Sequence, residues 1–485
     1  MPNHRIQPVE TAQTWGLEQF GQPVDKLGRS TNAGKACQWK IAAALPRWHS
    51  LYAPLSRHHA RAARCTPERG LICGRANRLF HAGAADVTAS RMISYDDALA
   101  LLLGSAPVLP AETAAIENAG GRYLARPVTA AIDAPRADVS AMDGYALRLA
   151  DAQPGRWLTV AGEAAAGAPL SHGLAQGEAA RIFTGAHIPQ GADCVIMQEY
   201  AERSGDRVQF SGGFGPACHI RHKAGDFAKG DILLEQGQRL TPRAMVALAG
   251  VDLAEVGLVR QPGIVIISTG NELEQPGSAH LSPHLQPESG SYGVAALANA
   301  CGANLMDRMH GRDDLEILAP LARSGIDRAD CVVVIGGASV GDHDLARPMF
   351  GGAQMDEKFS SVAIRPGKPV WFGLANGIPV LGLPGNPTSA MVTARLFLAP
   401  LLAAMQGGDG AATTRFLPQV LCGALPANGS RETFVRARST EFGLVPAHNQ
   451  ESGAQAPLAA SDWLIRRPIG ADAVANGAIV PAIPF

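Results

Sequence analysis

The sequence predicts a multidomain chain of mixed α/β and β architecture, with one α/β domain set between a small inserted β domain and a C-terminal β domain. Three observations predict it. Strand, loop and helix patterns alternate over 263–408, which gives a largely parallel sheet covered by helices. Short apolar stretches broken by glycine occupy 150–235, and short strands with Pro and Gly return over 411–485. The length of 485 residues suits roughly three domains at about 150 residues each.

The elements follow in order from local signals. Ser94-x-x-Asp97 resembles a capping box and places a helix on the apolar run 98–103. Strands are expected at 157–161, 180–183, 194–198 and 208–210. Thr241-Pro242 supplies N-cap and first-turn residues for a helix that Gly250 closes. The α/β region reads as strand 264–268, helix 291–301, strand 304–309, helix 314–324, strands 331–335, 369–374 and 378–383, and helix 388–405. The expected domains are 92–145 plus 230–260 (linker and helical), 146–229 (inserted, β-rich), 261–410 (α/β) and 411–485 (C-terminal β).

Composition narrows the function. Hydrophobic residues make up 46% and charged residues 18%, a globular balance that excludes wholesale disorder. Net charge is −1 and aromatics are 5%, which speaks against a nucleic-acid binder. No apolar run approaches the length of about 18 residues that a membrane span needs, so no membrane association is expected. The eight cysteines are scattered without a C-x-x-C pair, which fits a reducing cytoplasm better than a disulfide framework. Residues 1–91 differ from the rest, with 13 Lys and Arg against 5 Asp and Glu and little sustained periodicity. They read as a basic arm, a targeting peptide without an h-region, or an extension upstream of the native protein that carries no fold. The last is expected, because organised sequence begins at Met92.

In an open α/β sheet, ligands bind beyond the carboxyl ends of the strands. Four loops there have distinctive composition: Ser268-Thr269-Gly270-Asn271-Glu272, Gly311-Arg312-Asp313-Asp314, Gly336-Gly337-Ala338-Ser339-Val340-Gly341-Asp342-His343-Asp344 and Leu383-Pro384-Gly385-Asn386-Pro387-Thr388. Any one alone reads as a tight turn, and Asp313 or Asp314 reads equally as a helix N-cap. Together on one rim, they offer glycine backbone to an anion and hard oxygen ligands to Mg²⁺ through Glu272, Asp313 and Asp344. Arg365-Pro366-Gly367-Lys368 adds two cations near the same strand ends. Upstream, Asp138–Tyr145, Arg181–Ala186 and Arg221–Asp226 form further clusters that also read as surface turns.

Taken in order over 92–485, these segments resemble the MoeA/gephyrin family, whose members insert molybdenum into molybdopterin. Ser140-Ala141-Met142-Asp143-Gly144-Tyr145-Ala146 is the most specific motif. Thr184-Gly185-Ala186, Ser268-Thr269-Gly270-x-Glu272-Leu273, Arg312-Asp313-Asp314, Gly336-Gly337-x-Ser339-Val340-Gly341-x-x-Asp344, Pro366-Gly367-Lys368-Pro369 and Leu383-Pro384-Gly385-Asn386-Pro387-x-Ser389-Ala390 support it. The resemblance implies an elongated four-domain MoeA-like fold with a MogA/MoaB-like domain, and a homodimer. It implies that adenylylated molybdopterin and molybdate react with Mg²⁺ bound, releasing AMP. Other cofactor-biosynthesis proteins and molybdoenzyme clients are the implied partners.

The implied catalytic positions are Asp143, Thr184, Asp226, Glu272, Asp313 and Asp344, with Glu272, Asp313 and Asp344 holding the metal. Asp143 and Thr184 would face the rim from the partner chain. Ser268, Thr269, Gly270, Gly336, Gly337, Ser339, Gly341, Arg365, Lys368, Pro384, Gly385, Asn386 and Pro387 are the implied substrate contacts. The chain departs from the family at Asn271 (usually Asp), Glu288-Ser289-Gly290-Ser291 (usually Asp-Ser/Thr-Asn-Arg), Ala224-Gly225 (usually Gly-Glu), Ile335 (Ser or Thr) and Ser361 (Lys). The departures at 271 and 288–291 sustain a second reading, a catalytically weak paralogue acting as a molybdopterin-binding assembly factor. A third, a different nucleotide-dependent enzyme such as an adenylyltransferase on the same sheet, is opposed by the retained Asp143 motif and the multidomain frame.

Overall fold

The computed structural model describes residues 92–212, 214–215, 218–337 and 345–485. The expectation for residues 1–91 lies outside them. The α/β region contains β1 (Gly263–Thr269), α1 (Gly290–Ala300), β2 (Asn304–Gly311), α2 (Leu315–Arg328), β3 (Cys331–Ile335), β4 (Met355–Phe359), β5 (Trp371–Ala375), β6 (Ile378–Leu383) and α3 (Pro387–Thr393). A π-helical turn, Ala394–Leu398, carries α3 on into a further helix, Ala399–Met405.

The sheet order is β2-β1-β3-β6-β5-β4. Its first four strands are mutually parallel, and β5 runs antiparallel to β6. The hairpin turns at Asn376-Gly377, both at positive φ (51° and 84°), the conformation that Asn-Gly supplies most readily. Every residue of β1 and β3 is buried. Their runs are apolar throughout because both faces are covered. Alternate residues serve opposite cores: Ile264, Ile266, Val333 and Ile335 pack with Val294 of α1 and Phe397, whereas Val265, Ile267, Val332 and Val334 pack with Leu318 of α2 and Trp371.

The segment Pro387–Met405 is long and apolar enough by composition to cross a membrane, which corrects the sequence reading of its apolar runs. In the structure 83% of that window is buried, as in a core helix.

Upstream, helix Tyr95–Ser105 is capped by Ser94, whose Oγ accepts from Asp97 N at 3.1 Å. Tyr95 drives it edge-on against Phe397 and Phe434, at centroid distances of 5.6 and 5.2 Å. Segments from both sides of the inserted domain meet where Ala111–Ala115 pairs with Glu255–Val259 and Val128–Thr129 with Ile232–Leu234. The helix predicted at Thr241-Pro242 runs Pro242–Gly250. Gly250 is its last helical residue rather than its left-handed stop, a conformation taken instead by Asp252 (φ 65°).

The inserted sheet has the order Cys194–Met197, Gly144–Leu147, Glu178–Ile182, Leu158–Ala164, Arg207–Phe210, Ala201–Ser204. The boundary expected at 145/146 therefore cuts a strand. Gly144 cannot be replaced there, because a Cβ would fall 1.9 Å from Ile196 O on the neighbouring strand.

The C-terminal sheet orders Ile364–Arg365, Glu432–Thr440, Trp463–Arg467, Ile479–Pro484 and Leu417–Val420. Its first strand comes from the α/β segment and pairs Arg365 with Thr433. This crossing joins the two domains at the rim.

Candidate active site at the strand ends

Because β1, β2, β3 and β6 are parallel, their carboxyl ends open on one side. There the chain forms a cleft of about 560 Å³. Thr269, Gly270, Glu272, Asp313, Gly336, Gly337, Gly385, Asn386 and Pro387, all expected at the site, line it. Ser268 does not: it is 1% exposed and its Oγ donates to Met309 O at 3.3 Å, tying β1 to β2 beneath the rim. Ser339, Gly341 and Asp344 lie outside the described residues. Among the described residues no group of three metal-ligating side chains forms; Glu272 and Asp313 are the two expected metal carboxylates that reach the cleft.

The double glycine has a steric cause. Gly336 has φ 104°, and a Cβ on it would sit 2.5 Å from Thr269 O. The side chains beside it are left open. Thr269 is 4% exposed, yet among the described residues its Oγ1 has no hydrogen-bond partner, and Ser289 Oγ is likewise buried and unpaired there. A buried unpaired hydroxyl costs about 1–3 kcal/mol, and a ligand that bonds it recovers that energy.

The two adjacent aspartates separate by role. Asp314 Oδ1 accepts from Glu316 N at 2.8 Å and caps α2, whereas the Asp313 side chain lines the cleft. Asn271, at the family's Asp position, accepts from Asp313 N through Oδ1 at 3.2 Å. The amide thus retains a carbonyl-type acceptor that joins the first two rim loops. His310 Nε2 stands 3.1 Å from Gly270 O, a contact that requires the Nε2–H tautomer. Glu288 is 7% exposed; its Oε1 accepts from Ser291 N at 2.8 Å and its Oε2 accepts from Ser291 Oγ. Its carboxylate is therefore committed to the N-terminus of α1.

Arg365 and Lys368 do not enter this cleft. They line a second cavity of about 600 Å³ with Arg431, Pro384, Ser389 and residues 450–453. The two cavities share Asn386 and Gly453. Asn386 Nδ2 donates to Ser452 Oγ at 2.9 Å and Thr388 Oγ1 donates to Ala454 O at 3.0 Å, so a C-terminal loop is fastened to the start of α3. Sequence reasoning missed Arg431, Ser452, Gly453 and Gln455. The loop that carries the last three has no apolar period, and its approach to α3 is a contact across more than 60 residues of chain.

The upstream cluster forms its own small site. Asp143 Oδ1 accepts from Thr184 N at 2.7 Å and from Thr184 Oγ1 at 2.8 Å. These bonds, the backbone one first, hold the Asp143 carboxyl below its ordinary pKa, with Arg181 adding a smaller attraction. Arg181 Nη1 donates to Gly144 O at 2.9 Å, which steadies the same turn. Asp226 is exposed, and its loop is held by His222 and Lys223 N on Asp138. Ala224 there has φ 59°, a left-handed conformation at the position where the family carries Gly. Asp143, Thr184 and Asp226 line neither rim cavity of the same chain.

Comparison with known proteins decides the family. Residues 93–251 match the MoeA N-terminal region (domain I and II), and residues 265–404 match a probable molybdopterin binding domain. The molybdopterin molybdenumtransferase of Haemophilus influenzae is 36% identical over 319 residues, covering 65% of this chain and 78% of that protein. The chain belongs to the MoeA family. The molybdopterin molybdenumtransferase of Nostoc sp. is 33% identical, covering 74% of this chain and 85% of its own length. The crystal structure of the molybdopterin biosynthesis MoeA protein from Pyrococcus horikoshii OT3 superposes with a TM-score of 0.72 at 25% identity, covering 81% of this chain and 100% of that one. The mixed sheets and helices described above are thus a MoeA-type fold, and the rim cavities lie on the part matched as molybdopterin-binding, with a wall added by the C-terminal domain.

Proposed function

We propose that this protein is a molybdopterin molybdenumtransferase, which inserts molybdenum from molybdate into adenylylated molybdopterin and releases AMP. One observation carries the reading: a cleft of carboxylates, hydroxyls and glycine backbone adjoins a cavity with three cationic residues, and the two meet at Asn386 and Gly453. The first suits a phosphorylated heterocycle bound with a divalent ion, the second a tetrahedral oxyanion.

The residues divide the work by chemistry. Glu272 and Asp313 are hard oxygen donors that suit Mg²⁺, and the unpaired Thr269 Oγ1 gives a further oxygen on the same wall. When bound, the ion polarises the phosphate-anhydride link for cleavage. The Gly336-Gly337 turn lets a phosphate oxygen approach backbone that a side chain would screen. Arg365, Lys368 and Arg431 attract molybdate, with the arginine forks favouring a two-point oxyanion contact. The Pro384–Pro387 loop sets the distance between the two ligands. In a homodimer, Asp143 and Thr184 complete the rim from the partner, which explains why they miss the cleft of their own chain. The protein acts in the cytoplasm and passes its product to molybdoenzyme clients.

A specific observation also favours an assembly factor without turnover: Gly290 and Ser291 stand where the family carries an amide and a cation, and the Ser291 hydroxyl is taken up by Glu288. A purified turnover assay separates the two. Full-length protein is given adenylylated molybdopterin, molybdate and Mg²⁺, and AMP and bound molybdenum are followed together. The expected result is AMP release that depends on molybdate and on Mg²⁺, with metal incorporated. Pterin binding without release would establish the assembly factor instead, and absence of binding would sink both.

A further inference from the structure

We infer that Arg436, which lines neither cavity, is the positioning residue for the wall that they share. The inference rests on the reading of those cavities as the two substrate sites.

Arg436 lies mid-way along strand Glu432–Thr440 and is 1% exposed. Its guanidinium donates to three backbone carbonyls of one loop: Nη1 to Ala454 O at 3.2 Å, and Nη2 to Asn449 O and Glu451 O, each at 3.0 Å. The loop returns the grip. Gln450 Oε1 accepts from Arg436 N at 3.0 Å, and Gln450 Nε2 donates to Arg436 O and Ala447 O, both at 2.9 Å. Among the described residues no carboxylate pairs with the guanidinium, and burial alone pulls its pKa down from the ordinary value. An arginine nevertheless stays charged at neutral pH.

A buried charge without a counter-ion is unfavourable for stability, and a well-packed apolar side chain would fill the same space at less cost. What Arg436 adds is shape. A planar fork of donors turns three carbonyls of segment 449–454 inward at fixed angles, which a lysine's single ammonium cannot reproduce. With those carbonyls inward, Ser452 and Gly453 are held against the cationic cavity, and Gly453 and Gln455 against the cleft. A surface loop is ordinarily the mobile part of a domain. This one is pinned from inside by Arg436 and from outside by Asn386 and Thr388.

The test is Arg436→Lys in the full-length protein, read by amide hydrogen exchange and by kinetics. Exchange of segment 447–455 is expected to accelerate by at least about tenfold, with β1 and β3 unchanged, because local opening follows lost local bonds. In the turnover assay KM for molybdate is expected to rise by about tenfold with kcat held within about twofold, the pattern of a binding wall rather than of chemistry. Should the lysine variant not fold, Gln450→Ala carries the exchange test alone: it removes three loop bonds and leaves the buried guanidinium in place, but Gln450 lines the cationic cavity itself. Unchanged exchange and KM would overturn the inference, as would faster exchange throughout β1 and β3, which marks a general core role. The exchange measurement needs no substrate. If the wild-type protein fails to release AMP, the functional reading falls while exchange still decides the role of Arg436.

Discussion

Ile335 closes against Gly290 at the edge of the cleft: a β-carbon on Gly290 would stand 3.3 Å from Ile335 Cγ2. The resemblance to the family puts a hydroxyl residue at 335 and an amide residue at 290. Here a branched apolar side chain fills the room that the missing amide leaves. The two departures are therefore neighbours in space.

That contact predicts coupling. Gly290→Asn alone should lower stability by about 1–3 kcal/mol, since overpacking forces neighbours off their rotamers. Adding Ile335→Thr should recover part of the loss, with an interaction energy of about 0.5–3 kcal/mol between adjacent sites. Urea denaturation of both single variants and the double variant measures it; strict additivity would show that the contact is incidental.

Asp143 and Thr184 predict a pH effect. Two hydrogen bonds hold the carboxyl pKa down. The stabilisation they give is therefore present above the ordinary carboxylate range and fades as pH falls through the depressed value. Thr184→Val removes the hydroxyl bond and leaves the backbone N–H, so the Asp143 pKa should move only part of the way back up. A carbon-13 NMR titration of that carboxyl reads the shift, and an unmoved pKa would exclude the hydroxyl as a contributor. On the proposed function activity should fall as well, because the reading makes this hydroxyl part of a rim completed across a homodimer.

Asp330 predicts acid sensitivity at the foot of the sheet. Burial raises its pKa, but two Arg260 hydrogen bonds and the Gly263 N–H at 2.7 Å outweigh that and leave it lowered. Its contribution holds above the unfolded pKa and is lost as pH falls through the lower folded one. Asp330→Asn should cost about 1–2 kcal/mol at neutral pH, less than a dry pair would, because the Arg260 side chain is 42% exposed and screened. The difference from wild type should shrink in acid. Denaturation midpoints at neutral and acid pH check the sign.

How much of this was legible in sequence depended on the range of the interaction. Ser94 and Thr241-Pro242 announce their helices because caps are local, and β1 and β3 announce themselves because both faces are covered. Strand direction is another matter. The runs at β5 and β6 read as strands, but only the Asn376-Gly377 turn tells that they form a hairpin. The rim loops were legible by residue type, yet Arg365 was assigned to one site with Glu272 when its pairing with Thr433 draws it into the neighbouring cavity. Nothing near 449–455 in the sequence signals that this loop closes the site.

Ala224 predicts a stabilising substitution. At φ 59° an alanine sits in a region that costs L-residues roughly 1–2 kcal/mol, against the smaller chain-entropy cost of glycine. Ala224→Gly should therefore raise stability by about 0.5–1 kcal/mol. Thermal denaturation checks it. A lowered midpoint would mean that the Asp138 bonds to His222 and Lys223, rather than the backbone, govern the loop.

Asp313 and Asp314 predict opposite phenotypes one residue apart. Asp314 accepts from Glu316 N and starts α2, so Asp314→Ala should cost about 1 kcal/mol of stability, as N-cap deletions do. Asp313 lines the cleft and among the described residues caps nothing, so Asp313→Asn should leave the denaturation midpoint within about 0.5 kcal/mol of wild type. It should nevertheless abolish AMP release, since an amide is a poor ligand for a hard divalent ion and carries no charge to neutralise it. Molybdate and pterin binding should survive in part, because the cationic cavity and the glycine turn are untouched. Melting and AMP release are measured on both variants. Normal turnover in Asp313→Asn would remove that carboxylate from the reaction, and a destabilised Asp313→Asn would give it the structural part assigned here to Asp314.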